Sequence, residues 1–248
     1  MDIILLGTAA SLIAGSVTVL GAAIVFFIKN VSDKFLDSAM GFAAGVMLAA
    51  TCFGLIVPAV KIGGIWKTAF GILLGAAFLI VMEKAVPHMH RIAGRKGPAI
   101  RLSPLLLFIL AITIHNFPEG LAVGVGFGGQ SVAAGTVLAV GIGMQNFVEG
   151  LAVALALFKD KNDIMKAFLI ASFTCVVEPI GGFLGVSAVS LSKFLIPYGM
   201  AFAAGAMLFV TSEEVIPETH SRGNAREATI GIILGFVTMM ILENIFVR

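Results

Sequence analysis

Charged residues are few along this chain. Asp, Glu, Lys and Arg make up 12% of its 248 residues, while 59% are hydrophobic. A soluble domain of this size carries roughly twice that share of charge. Together with a mean hydropathy of +1.06, the composition excludes a soluble domain and points to a polytopic membrane protein. No polar stretch is long enough for a second unit, so residues 1–248 are expected to form one integral membrane domain, with the lipid bilayer as its surroundings and no nucleic acid partner. Only two cysteines are present. Cys52 and Cys175 sit in apolar segments without partner spacing, which argues against a disulfide framework and for packing. Aromatic residues with a polar end are also scarce: Trp66 and Tyr198, near span boundaries, read as interface anchors. The N-terminus lacks a basic region ahead of its apolar run. That run continues to Ile28, too long for a signal peptide, so a retained first helix is expected.

What the chain does have is long apolar stretches. A bilayer core about 30 Å thick asks for roughly 20 apolar residues per helix. Eight stretches qualify, at 3–28, 38–60, 66–85, 104–127, 132–158, 164–191, 196–217 and 228–246. They predict an all-α protein of eight transmembrane helices. Loops after spans 1, 3, 5 and 7 hold 12 of the 16 Lys and Arg residues. By the positive-inside rule that side is cytoplasmic, and both termini lie outside it.

An internal repeat appears at an offset of 160. GFAAGVMLAAT from Gly41 to Thr51 aligns with AFAAGAMLFVT from Ala201 to Thr211, and GILLGAAFLIVME from Gly71 to Glu83 aligns with GIILGFVTMMILE from Gly231 to Glu243. Each span's counterpart lies five spans further on, so the copies would cross the bilayer in opposite directions. This predicts a 3+2+3 plan with an inverted repeat relating spans 1–3 to spans 6–8. The extension to spans 1 and 6 is faint, with Gly21 over Gly181 and Thr18 over Glu178. Spacings such as Gly41-x3-Gly45 favour close helix contact.

Polar groups interrupt the central spans. The fourth contains His115-Asn116-Phe117-Pro118-Glu119-Gly120, and thirty residues later the fifth contains Gln145-Asn146-Phe147-Val148-Glu149-Gly150. Ionisable residues inside a membrane are functional by default. His115, Asn116 and Glu119 share one helical face. Pro118 leaves the Ile114 carbonyl without its helical donor, and a bend beside the polar groups is expected. The sixth span adds Glu178, followed by Pro179, which frees the Cys175 carbonyl. Three carboxylates buried together repel one another, a conflict that protons or a divalent cation would relieve. His115, Glu119, Gln145 and Glu149 make a mixed nitrogen and oxygen set suited to Zn²⁺, with loose selectivity. Asn116, Asn146, Glu119, Glu149 and Glu178 would complete a second, oxygen-rich position sharing two carboxylates. Toward the end of the seventh span, Glu213, Glu214, Glu218 and His220 either line an exit path or are simply solvated. Glu83 and Glu243, at matching helix ends, read as structural.

The paired motif resembles that of the ZIP (Zrt/Irt-like) divalent-metal transporters, most of all the bacterial GufA-type branch, where Gln opens the second motif. The likeness runs over nearly the whole chain. It implies import of Zn²⁺ toward the cytoplasm across the plasma (inner) membrane, with Cd²⁺, Fe²⁺ or Mn²⁺ as other cargo, by an alternating-access, elevator-like mechanism. Spans 1, 4, 5 and 6 would move against a frame of spans 2, 3, 7 and 8. The resemblance also implies a binuclear centre and a thioether ligand at Met47, and it likens His88 and His90 to a histidine-bearing loop. Val148 stands where the family usually has Pro, Asn146 where some relatives have a carboxylate, and Glu213 where many have His. A homodimer is open.

Two other functions fit the residues less well. A membrane-embedded zinc metalloenzyme would want a second His four residues on, as in HExxH, and neither motif has one. A proton-linked carrier of an organic substrate would want arginine or aromatic recognition groups at mid-depth, and the central spans supply neither.

Overall fold

A computed structural model describes residues 2–28, 30–90, 94–98, 104–161 and 163–247. Among these, eight helices are long and apolar enough to cross a membrane: α1 (Ile3–Phe26), α2 (Asp33–Gly63), α3 (Ile65–Ala85), α4 (Ile109–Gly129, beginning at Pro104), α5 (Val132–Lys159), α6 (Ile164–Leu191), α7 (Lys193–His220) and α8 (Ala225–Phe246). They fall where the apolar stretches placed them. An antiparallel ribbon of β1 (His88–His90) and β2 (Gly94–Lys96) lies in the α3–α4 connection, a small addition to the expected all-helical plan.

Side-chain oxygens mark where several helices begin. Asp2 accepts from the Ile4 N–H, Ser32 from that of Phe35, Ser131 from that of Ala134 and Asp163 from that of Lys166. Each supplies an acceptor to a first-turn N–H that has no helical partner. Gly64 and Gly223 close the α2–α3 and α7–α8 turns at φ +80° and +83°, a conformation that penalises any side chain.

Prolines account for most of the irregularity inside the spans. Pro58 follows a π-helical turn at Ala50–Ile56 of α2, and Pro217 follows another at Thr211–Val215 of α7. Gly54, four residues before Pro58, loses its helical donor, and Gln130 Nε2 donates to its carbonyl over 2.8 Å. The distortion expected ahead of Pro179 is a 3₁₀ turn at Thr174–Val176. By contrast, α4 stays helical through Pro118.

Four helix pairs pack most closely: α2 with α8, α3 with α7, α4 with α6, and α1 with α5. Glycines make these approaches. A Cβ on Gly45 would collide with the Ile232 carbonyl, and one on Gly205 with the Ile72 carbonyl. The first contact becomes the second when each residue shifts by 160. Gly75 against Phe202 and Gly235 against Phe42 are related in the same way. The central helices join the pattern: Gly120 sits on the Glu178 carbonyl and Gly150 on that of Thr18, while Gly181 sits on the Phe117 carbonyl and Gly21 on that of Phe147. These contacts obey the 160 offset of the outer helices combined with the 30-residue offset of the paired motif. In packing, the faint alignment of spans 1 and 6 is therefore much stronger than it is in sequence.

Candidate metal centre

Site residues come from three neighbouring helices. On α4, Asn116 and Glu119 are each 1% exposed. On α5, Gln145 and Asn146 are fully buried, as is Glu178 on α6. Glu178 opens the helical turn that follows the 3₁₀ distortion, so Pro179 and the irregular turn together fix where its carboxylate leaves the helix.

Hydrogen bonds orient the amides. Asn116 Nδ2 donates to the Thr174 carbonyl over 3.0 Å. Asn146 Nδ2 donates to the Ala14 carbonyl over 3.1 Å and to Glu178 Oε2 over 2.9 Å. Both amide nitrogens are thus tied to neighbouring helices. Several oxygens nearby have no hydrogen-bond partner among the described residues: Oδ1 of Asn116 and of Asn146, both oxygens of Glu119, Glu178 Oε1 and Gln145 Oε1. An unpaired buried polar atom costs about 1–3 kcal/mol, and more when charged. A group of them on adjacent helices is therefore a strong indication of a ligand. Glu119 lies within electrostatic reach of Glu149 and Glu178 and beside Gln145.

His115 faces a different neighbour. Its Nε2 lies 2.5 Å from Glu214 Oε2 on α7, with Glu149 and Glu83 also within electrostatic reach. Together with Glu149, Glu214 and Glu218, His115 lines a cavity of about 110 Å³ that runs past Met40 and Ala156 to Asp33, Lys159 and Arg222 at the helix ends. The mouth is braced by Arg222, which reaches Asp37 Oδ1 at 2.9 Å and Glu218 Oε1 at 3.2 Å, while Asn224 donates to Asp37 Oδ2 over 2.9 Å. These acids, amides and the imidazole are neighbours, not a closed ligand sphere. Among the described residues, no three His, Cys, Asp or Glu side chains converge tightly enough to hold an ion.

The remaining candidates are dispersed. Met47 is buried in the α2–α7 interface, with its sulfur 3.8 Å from the Thr211 hydroxyl, and it does not line the cavity. Glu213 is exposed and is not part of the cavity wall. His220 is occupied locally by the Ile216 carbonyl and the hydroxyls of Thr219 and Thr229. His88 and His90 are on β1, but their side chains lie outside the described residues. Cys52 and Cys175 are free thiols. Two features of the site carry no local sequence signal: α1 borders it through Ser11, Ala14 and Gly15, and Asp37 anchors the mouth. For α1, the alignment of Thr18 with Glu178 is the one hint.

Eight apolar helices around a largely buried set of acids, amides and an imidazole, with a cavity leading to one end, define a multi-pass membrane protein with a polar interior. Comparison with known proteins agrees. A model of the family described as "ZIP Zinc transporter" matches residues 94–243. The chain is 42% identical to zinc transporter GufA of Myxococcus xanthus, covering 96% of this chain and 97% of the relative. It is 40% identical to zinc transporter ZIPB of Bordetella bronchiseptica, covering 96% and 80%, and 35% identical to human zinc transporter ZIP11, covering 91% and 93%. The chain belongs to the ZIP zinc transporter family, a family of transporters and not of enzymes.

Proposed function

We propose that this protein carries Zn²⁺ across a membrane, with Cd²⁺, Fe²⁺ and Mn²⁺ as other divalent cargo. Its relatives are named zinc transporters, which supports the cargo. The observation that carries the reading is Glu119, 1% exposed in mid-span with neither carboxylate oxygen partnered among the described residues. Burying an ionised carboxylate costs several kcal/mol unless a counter-charge offsets it. No Lys or Arg lies among the site residues, so a transported cation is the counter-charge that fits.

His115, Glu119, Gln145 and Glu149 form the first ion position, suited to a borderline metal. Asn116, Asn146 and Glu178 complete a second, oxygen-only position that shares the two motif carboxylates. The family resemblance adds the buried thioether of Met47 to the first position.

Transport runs inward across the plasma membrane. The cavity leads from His115 and Glu149 to the end bearing Lys159 and Arg222, which the positive-inside rule makes cytoplasmic. Both termini then face outward. The close pairs α1–α5 and α4–α6 form a bundle that carries the ion, and α2–α8 with α3–α7 form the frame it moves against. Alternation between the two inverted halves gives access to each side in turn.

Purified protein in liposomes tests this directly. Wild type is expected to take up zinc or cadmium, and Glu119→Gln to lose most of that flux. Equal fluxes would remove the assigned role.

A further inference from the structure

Helix α1 carries none of the paired motif, yet it touches the site three times. Ser11 Oγ donates to the Glu178 carbonyl over 2.8 Å. The Ala14 carbonyl receives Asn146 Nδ2. Gly15 lies directly against the Glu178 side chain: a Cβ built there would stand 3.0 Å from Glu178 Cδ and 3.1 Å from each carboxylate oxygen. Ordinary van der Waals contact begins near 3.4 Å, so an added methyl would push the carboxylate by a few tenths of an ångström. Ser11, Ala14, Gly15 and Thr18 fall on one helical face. Thr18 is 3% exposed, and its hydroxyl has no partner among the described residues.

We propose that Gly15 is a positioning residue for the transported ion. By lacking a side chain, it seats the Glu178 carboxylate against α1, where Asn146 holds Oε2 and Oε1 stays available to a cation. The inference rests on the reading of Glu178 as an ion ligand. The internal repeat supports it. At the 160 offset, Glu178 corresponds to Thr18 and Gly15 to Cys175. The repeat counterpart of the Gly15–Glu178 pair is therefore Cys175 with Thr18: where a short hydroxyl stands in place of the long acid, a larger residue stands in place of the glycine. The equivalence of these positions is structural as well, because Gly120 meets the Glu178 carbonyl as Gly150 meets that of Thr18.

The test is equilibrium Zn²⁺ binding to the purified full chain, by calorimetry, for wild type, Gly15→Ala, Glu178→Asp and the double variant. Displacing a group that orients ion ligands costs about tenfold or more in affinity, and Gly15→Ala is expected to lose that much. Glu178→Asp shortens the acid by one methylene and clears the added methyl, so the Gly15→Ala penalty should vanish in the Glu178→Asp background. A structural role for Gly15 alone would give the same penalty in both backgrounds, and that result, or wild-type affinity in Gly15→Ala, overturns the proposal. Should Gly15→Ala fail to fold, recovery of folded protein by the added Glu178→Asp supports the contact, and its failure overturns it. Absence of binding by the wild type would instead bring down the transport reading, and this inference with it.

Discussion

His115 Nε2 on α4 lies 2.5 Å from Glu214 Oε2 on α7, so the imidazole of the first motif is held across the boundary between the proposed bundle and frame. The same nitrogen cannot serve Glu214 and an ion at once. On the proposed role of His115 as an ion ligand through this nitrogen, Glu214 and the ion compete for it.

Removing the competitor should show this. Glu214→Gln weakens the hold on His115, and the expected outcome is tighter Zn²⁺ binding at equilibrium together with slower turnover in liposomes. Isothermal calorimetry paired with flux gives both values. Weaker binding would mean that Glu214 helps to hold the ion.

Ion binding should release protons. Carboxylates and imidazole bind metal only when deprotonated, so protons compete with the ion and affinity should fall as pH is lowered. Calorimetric heats measured in buffers of different ionisation enthalpy should scale with those enthalpies. Heats that are independent of the buffer would contradict the assignment of carboxylates and imidazole as ligands.

Asn146→Asp replaces a donor with an acceptor 2.9 Å from Glu178 Oε2. Without an ion it loses that hydrogen bond, worth about 0.5–1.5 kcal/mol, and places two carboxyl groups in contact. With an ion, the added charge becomes a ligand. The variant should melt below wild type in chelator and gain more from added zinc than wild type does, as thermal unfolding in detergent would show. A zinc-induced gain no larger than that of wild type would count against the oxygen-rich position.

Repeat-related glycines should be energetically equivalent. Gly45 on the Ile232 carbonyl and Gly205 on the Ile72 carbonyl are the same contact at an offset of 160. Gly45→Ala and Gly205→Ala each force a helix pair apart, and both are expected to lower the melting temperature by similar amounts. Gly223→Ala, in an open turn at φ +83°, should cost only about 1 kcal/mol. Unequal losses at the two interface glycines would argue against equivalent halves.

The eight spans were legible in the sequence because lipid demands long apolar helices, and hydropathy reports that demand almost directly. The paired motif was legible for the opposite reason, since His115, Glu119 and Glu149 stand out only against an apolar background. Long-range relationships were not. Glu214 is far from His115 in the chain, and nothing local announces that they meet. Gly15 is indistinguishable in sequence from the other glycines, and only the fold lays Glu178 against it. The π turns of α2 and α7 depend on how Pro58 and Pro217 are accommodated in three dimensions, although the prolines themselves were in view. The resemblance, not the residues, suggested Met47, and the structure places its sulfur beside Thr211.

Locating the bound ion is the most direct measurement. Anomalous scattering at the zinc edge, from crystals of the wild-type protein grown with zinc, should give a peak among Glu119, Glu149 and Gln145, at mid-depth in the bundle. A site that stays dark while zinc collects only at surface carboxylates would contradict the account.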